Sequence, residues 1–356
     1  MDLVVRPPDV NAGSFKFSVK AGEVIYGLGA IKGLGEGPIA QLVEARDANG
    51  PFTDLFDFCR RVGSGKVNRR ALEALIRAGA FDSLNERRWI LMSSLEDAVG
   101  QADQEARNEA VGMDDIFGLG GGAESQAGSD LYQHHRTAVR WSERDVLRGE
   151  KDTLGLYLTG HPIDWYADDL QGLGAQALEN LERTKESVRV AGLVVSLRVI
   201  RNKRGESFGI VTLDDRTARM DVTVFADLFA DCREKLADDS LVVVEGDVSF
   251  DEFTNGLKMR ANRVDTLENA RKQSASGLKI HLETRSPEFV ETLLSTIRPH
   301  LGGECPVVIA YNGDHARGEV VLGENYQVHP EDSLLLELQA LLGQDRVSLE
   351  FSARTP

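Results

Sequence analysis

At residue 187 the spacing of apolar residues changes from a helical period to an alternating one. The order of the segments that follow restricts the fold more than any other feature of the chain. "VRVAGLVVSLRVI", "SFGIVTLDD", "RMDVTVF", "LVVVEGDVSF" and "LKMRANRVDTL" alternate apolar and polar residues as half-buried strands do. One helical stretch, "ADLFADCREKLA", separates the third from the fourth. Five strands with a helix in that place is the order of an OB-fold β-barrel, predicted over 187–272.

The residues before the barrel read as helical. "SFKFSV", "KAG" and "EVIY" form a short hairpin, and "GPIAQLVEAR" opens a helix with Pro38 at its first position. "TDLFDFCRRV" is a second amphipathic helix with Thr53 as its cap. "NRRALEALIRAGAF" follows, capped by Asn68 and stopped by Gly79. "ERRWILMSSLEDAVGQADQEARNEA" is a long helix that turns polar towards its end, and "WSERDVLRGEKDTLGLYL" is helical again. Between these two lies a stretch rich in Gly, Ser, Asp and Gln, predicted to be a mobile linker. Within it "MDDIF" is an apolar island with no core to join.

After the barrel, "LKIHLE", "PVVIAY", "RGEVVLG" and "RVSLEF" alternate with two helical segments in the order βαββαβ. This order predicts a small α+β domain of the split-βαβ kind. The whole is therefore a multidomain α+β chain.

A net charge of -16 over 356 residues argues against a nucleic-acid partner until it is divided by segment. Residues 1–90 carry 13 Lys/Arg against 11 Asp/Glu, and residues 187–273 carry 14 against 15. Residues 91–186 hold 8 against 19, and 274–356 hold 6 against 12, so the excess acid lies there. The two near-neutral segments are the ones that carry basic clusters. The three cysteines are far apart and form no metal-ligand or disulfide pattern. The first residues lack a signal-peptide pattern and no apolar run reaches about 18 residues. A cytoplasmic protein without a membrane partner is expected.

"GLGAIKGLGEG" is not a P-loop, because no G-x-x-x-x-G-K-[ST] is present. Its pattern, apolar-Lys-Gly-apolar-Gly, is that of a helix-hairpin-helix. Lys32, Gly33, Leu34, Gly35 and Gly37 would offer a DNA phosphate a charge and bare amides at a helix start, without reading bases. "RRVGSGKVNRR" occupies the place of a second hairpin, with Lys66, Arg69 and Arg70 as its cations. In the barrel, Arg198, Arg201, Lys203 and Arg204 fall at the loop between the first two strands, and Lys258 and Arg260 on the last strand. Phe208, Phe250 and Phe253 are candidates for stacking on single-stranded bases. The pair Asp214–Asp215 could hold a metal but reads more simply as a hairpin turn, and "GHPID" as a structural turn. No nucleophile–base pair is evident.

"YGLGAIKGLGEGPI", "VNRRALEALIRAGAFD", "EKDTLGLYLTGHPID", "AGLVVSLRVIRNKRG" and "VVVEGDVSFDEFTNGLKMRA" together resemble the bacterial replicative C-family DNA polymerases, in that family's order. The resemblance covers nearly the whole chain and only the C-terminal third of such a polymerase. It implies the end of the fingers region at 1–26, a tandem helix-hairpin-helix region at 27–110 and a linker at 111–140. A helical connector at 141–186, the OB-fold at 187–272 and a C-terminal domain at 273–356 complete it. The DNA-directed polymerase palm, with its magnesium-binding aspartates, would lie upstream, so no cofactor is expected here. The family's sliding-clamp motif matches Met113, Asp114, Asp115, Ile116 and Phe117, with Met113 in place of the usual Gln. The family's tail implies the clamp-loader tau subunit as a further partner. Two other readings remain at this point: the same region of an error-prone polymerase paralogue, and a metal-dependent nuclease or tRNA-binding OB protein using Asp214 and Asp215.

Overall fold

The computed structural model describes residues 4–63, 67–110, 130–184, 186–251, 256–283, 286–313 and 316–352. The chain forms two compact units, Met1–Pro162 and Ile163–Pro356. The boundary falls inside the stretch read as one connector.

In the first unit, β1 (Val5–Arg6), β2 (Ser18–Lys20) and β3 (Glu23–Ile25) make a small sheet in the order β1-β3-β2. A single 3-10 turn, Leu28–Ala30, leads to α1 (Glu36–Asn49). Pro38 is thus the third residue of its helix rather than the first. Next come α2 (Leu55–Val62) and α3 (Arg69–Arg77). The cap of α2 is Asp54, whose carboxylate accepts the amide of Asp57 at 2.8 Å, and not Thr53. A carboxylate at that place also complements the positive end of the helix. Asn68 caps α3 as the sequence predicts, accepting from the Ala71 amide at 2.9 Å. The chain leaves α3 through Gly79 at φ +79°. There a Cβ would lie 2.2 Å from the Arg88 guanidinium.

α4 (Arg88–Ala110) and α5 (Glu143–Leu154) complete this unit. Leu28, Ile31, Leu42, Phe58, Leu72, Leu75, Phe81 and Leu91 form its core. Within residues 130–140, expected in the mobile linker, Tyr132 is buried and His135 half-buried, and both are held by the helices before them. The Leu55 amide donates to the Tyr132 hydroxyl at 3.0 Å, and the Tyr132 ring lies edge-on to Phe56 at 5.7 Å. His135 bridges Ser93 at 3.0 Å and Asp97 at 2.9 Å on successive turns of α4.

The second unit starts with α6 (Ala167–Gly172) and contains the barrel predicted from strand order. Its strands are β4 (Val188–Arg201), β5 (Ser207–Asp214), β6 (Arg219–Val224), β7 (Leu241–Asp251) and β8 (Gly256–Thr266). They close in the order β4-β5-β6-β8-β7, with α7 (Ala226–Cys232) between the third and fourth. Val190, Val211, Leu213, Val222, Val242 and Met259 fill the interior.

α8 (Leu267–Ser274) leads into the tail: β9 (Ala275–Leu282), α9 (Pro287–Ile297), a short β10 (Leu301–Cys305), β11 (Val307–Asn312), β12 (Arg317–Val321), α10 (Asp332–Leu342) and β13 (Val347–Phe351). The sheet order is β12-β11-β9-β13. β9 and β11 are parallel direct neighbours, Ile280 facing Ile309 in register. No strand separates them, so the βαβ unit is a plain one and not split. Buried Arg271 on α8 binds Asp169 of α6 and Asp332 of α10, joining three segments of the unit.

Candidate nucleic-acid interface

The first hairpin turns on Gly33, whose φ of +91° suits glycine alone. Ile31 and Leu34 are buried, which leaves Lys32, Gly33, Gly35 and Gly37 outside. The Lys32 amide donates to the Thr153 carbonyl at 2.8 Å and ties the turn to the end of α5. A Cβ at Gly33 or Gly37 would meet nothing within 4 Å, so the backbone is open to an approaching strand. The amides at the start of α1 have no acceptor within the helix. Exposed Glu36 sits among them and opposes an anion there.

The second hairpin is built from two full helices, α2 and α3. The five basic residues of "RRVGSGKVNRR" divide sharply. Arg61 is taken into the structure: it donates to Asp57 at 2.9 Å and to the carbonyls of Ala45 at 2.8 Å and Gly50 at 2.6 Å. It also lies 4.5 Å over the Phe52 ring. Arg60 is exposed and pairs with Asp57, while Arg69 is exposed and pairs with Glu73 at 3.0 Å. Arg70 is exposed with no carboxylate partner among the described residues. Lys66 lies outside the described residues, as do Phe253 and the stretch from Met113 to Phe117.

On the barrel, β4 and β5 run as a long antiparallel pair to the register Arg201↔Ser207. The Asn202 side chain accepts the amides of Arg204 and Glu206 at 2.9 and 3.0 Å and shapes the tight turn between them. Arg201, Lys203 and Arg204 are exposed there. Arg198 is tied back to Asp221 at 2.7 Å, and Asp221 stands opposite Lys258 in register.

Beside this turn Phe208 stacks on Phe225, ring centres 6.3 Å apart and planes 29° from parallel. The Arg260 guanidinium lies 5.9 Å from the Phe225 ring centre. Phe225 is 53% exposed. Sequence reasoning passed over it, although its signal was present. Met220, Val222 and Val224 face the interior, so alternation places Asp221, Thr223 and Phe225 outside. Phe250 is also exposed.

Asp214 and Asp215 are occupied by the hairpin turn. Asp215 is buried and accepts from the amides of Leu178, Thr217 and Ala218 and from the Thr217 hydroxyl, all at 2.7–2.9 Å. Asp214 accepts from the Arg216 amide and the Arg219 side chain. Carboxylates so engaged have little left for a cation. Among the described residues no group of three His, Cys, Asp or Glu is arranged to hold a metal. His161 packs edge-on to Tyr157 as part of a structural turn. No helix among the described residues is long and apolar enough to cross a membrane.

Three family matches follow the same divisions. The helix-hairpin-helix motif matches residues 2–91, the OB-fold nucleic acid binding domain 188–267, and the C-terminal domain of DNA polymerase III subunit alpha 292–343. Curated relatives named DNA polymerase III subunit alpha align with 99% of the chain. Those of Vibrio cholerae and Escherichia coli K12 are 43% identical over 357 residues, and that of Pseudomonas aeruginosa 41% over 369. The chain spans about 30% of the length of these relatives. With all three family matches in one order and the last of them to the C-terminal domain, the chain belongs to the DNA polymerase III alpha-subunit family and corresponds to a C-terminal part of it.

Proposed function

We propose that this chain is the DNA-holding and tethering part of a replicative polymerase, separate from the catalytic palm. The observation that carries the reading is the stack of half-buried Phe208 on exposed Phe225, flanked by Arg260 and by the basic β4–β5 turn. Stacked rings beside guanidinium groups suit the faces and phosphates of a single strand whatever its sequence. Arg201, Lys203, Arg204 and Lys258 supply further charge to that strand, and Arg198 supplies it once released from Asp221. The two hairpins serve the duplex, through Gly33, Gly35, Gly37 and Lys32 in the first and Lys66, Arg69 and Arg70 in the second. Each contact is weak and insensitive to sequence, as travel along a template requires.

The residues from Met113 to Phe117 serve as the clamp peptide, with Ile116 and Phe117 as anchors. The domain from 273 onward serves the tau subunit. Linking weak sites on one chain raises effective concentration and so processivity. The parent protein is then a DNA-directed DNA polymerase. The nuclease reading loses its candidate metal ligands to the turn at Asp215.

Fluorescence anisotropy of a labelled 20-nucleotide dT strand tests the first part: affinity falls steeply between low and physiological salt. A flat response would overturn it. Clamp capture by the chain with Ile116→Ala and Phe117→Ala together tests the tether, and capture equal to wild type would remove that assignment.

A further inference from the structure

The first unit carries a cleft of about 540 Å³ lined by Asp82, Asn85, Glu86, Arg87, Trp89 and Thr159, among others. Its charges are unequally satisfied. Asp82 is held by Arg88, whose other partner is buried Glu150. Glu86 is 3.4 Å from Arg136. That leaves two exposed guanidinium groups, Arg87 on the lining and Arg140 beside it, with no carboxylate partner among the described residues. Both lie against one ring: the guanidinium carbon of Arg87 is 5.9 Å from the Trp89 ring centre and that of Arg140 is 5.6 Å.

An aromatic face holds an arginine in place without cancelling its charge. A carboxylate would have done both. Two guanidinium groups fixed in this way beside an open cleft have their planar forks unspent, and that fork matches the oxygens of a phosphate.

We propose that Arg87 and Arg140, positioned by Trp89, bind phosphodiester groups of a nucleic-acid strand. The site is additional to the hairpins and the barrel, and it rests on the reading that the chain engages nucleic acid. Arginine is better suited than lysine here, because the ring contact and the bidentate contact both need the flat guanidinium.

The test compares the wild-type chain, Arg87→Gln with Arg140→Gln, and Phe208→Ala with Phe225→Ala, for binding of the labelled dT strand at several salt concentrations. The arginine variant should bind roughly tenfold more weakly at low salt. Its log–log salt slope should fall by about 1.4, since each single-strand phosphate contact contributes about 0.7. Unchanged affinity and slope, with binding still reduced in the barrel variant, overturns this site alone. No binding by the wild type overturns the proposed function instead.

A second measurement needs no variant. Arginine-specific dicarbonyl modification of the wild-type chain, read by mass spectrometry, should show Arg87 and Arg140 protected by the strand. Pyrophosphate at equal phosphate concentration should not protect them. Equal protection by pyrophosphate overturns the strand as the occupant and points to a small free anion.

Discussion

The guanidinium of Arg88 donates to the carboxylate of Glu150 at 3.0 Å, with the two side chains 7% and 0% exposed. Glu150 also accepts from the amides of Leu158 and Thr159 at 2.8 and 3.0 Å and from the Thr159 hydroxyl at 2.9 Å. One carboxylate thereby joins the start of α4 to the chain leaving α5. Replacing it with alanine leaves three donors without their acceptor and takes from buried Arg88 one of its two carboxylate partners, Asp82 remaining. Glu150→Ala should lower the stability of this unit by about 3–5 kcal/mol, as breaking a buried pair does. Glu150→Gln keeps an acceptor and should cost less. Urea unfolding followed by circular dichroism checks both, and an alanine variant within about 0.5 kcal/mol of wild type contradicts the network's role.

The second hairpin should set part of the acid limit of stability. Burial pushes the Asp57 carboxyl up, but hydrogen bonds from Arg61, the Thr53 amide and Arg60, with the charge of Arg61, outweigh it and hold the group below its ordinary value. A carboxylate lowered in the folded state favours folding above its unfolded value. That contribution is lost as pH falls through the folded value, so it disappears below about pH 4. Asp57→Asn should therefore flatten the acid side of a melting-temperature profile and lower the plateau near neutrality. An acid limb identical to wild type would refute this.

Phe225 should matter to binding more than to stability. A base stacked on an aromatic side chain is worth about 1–3 kcal/mol, so Phe225→Ala should weaken single-strand affinity roughly 5- to 150-fold. The ring is 53% exposed, so the melting temperature should move by only a few degrees. Arg260→Ala should weaken binding and also reduce the salt slope. Parallel anisotropy and melting experiments separate the two effects; a large loss of stability with unchanged affinity would make Phe225 a packing residue.

The cysteines should be inert in the native chain. Burial pushes the Cys59 thiol up to about 12 and the Cys305 thiol up to about 11, and it raises that of Cys232. The reactive thiolate is then scarce near neutral pH. Iodoacetamide at pH 8 should leave all three unmodified until denaturant is added. Rapid labelling of any one in buffer would show local opening around it.

Local periods and single-residue geometry were legible in the sequence. Alternation with one helix interposed specified the barrel, because a strand's two faces follow directly from residue spacing. Asn68 as a cap, Gly79 as a stop and the buried stripe Leu72, Leu75 and Ile76 follow from rules that reach only a few residues. The family resemblance was legible for the same reason, as it rests on short stretches in a fixed order.

What the tertiary structure decided is which charged and aromatic groups remain available. Arg60 and Arg61 are neighbours in sequence, yet one is exposed and the other is consumed by carbonyls of residues 45 and 50. Arg198 reads like the other cations of its loop until folding brings Asp221 alongside. Phe208 and Phe225 become a pair only because β5 and β6 stand side by side. In the tail, βαββαβ order is compatible with more than one arrangement, and the packing of Leu278, Ile280 and Val307 against α9 and α10 accompanies the direct pairing of β9 with β11. Local spacing sets how a segment can fold, but the partner of a charge or a ring comes from residues distant in sequence, and only the folded chain brings them together.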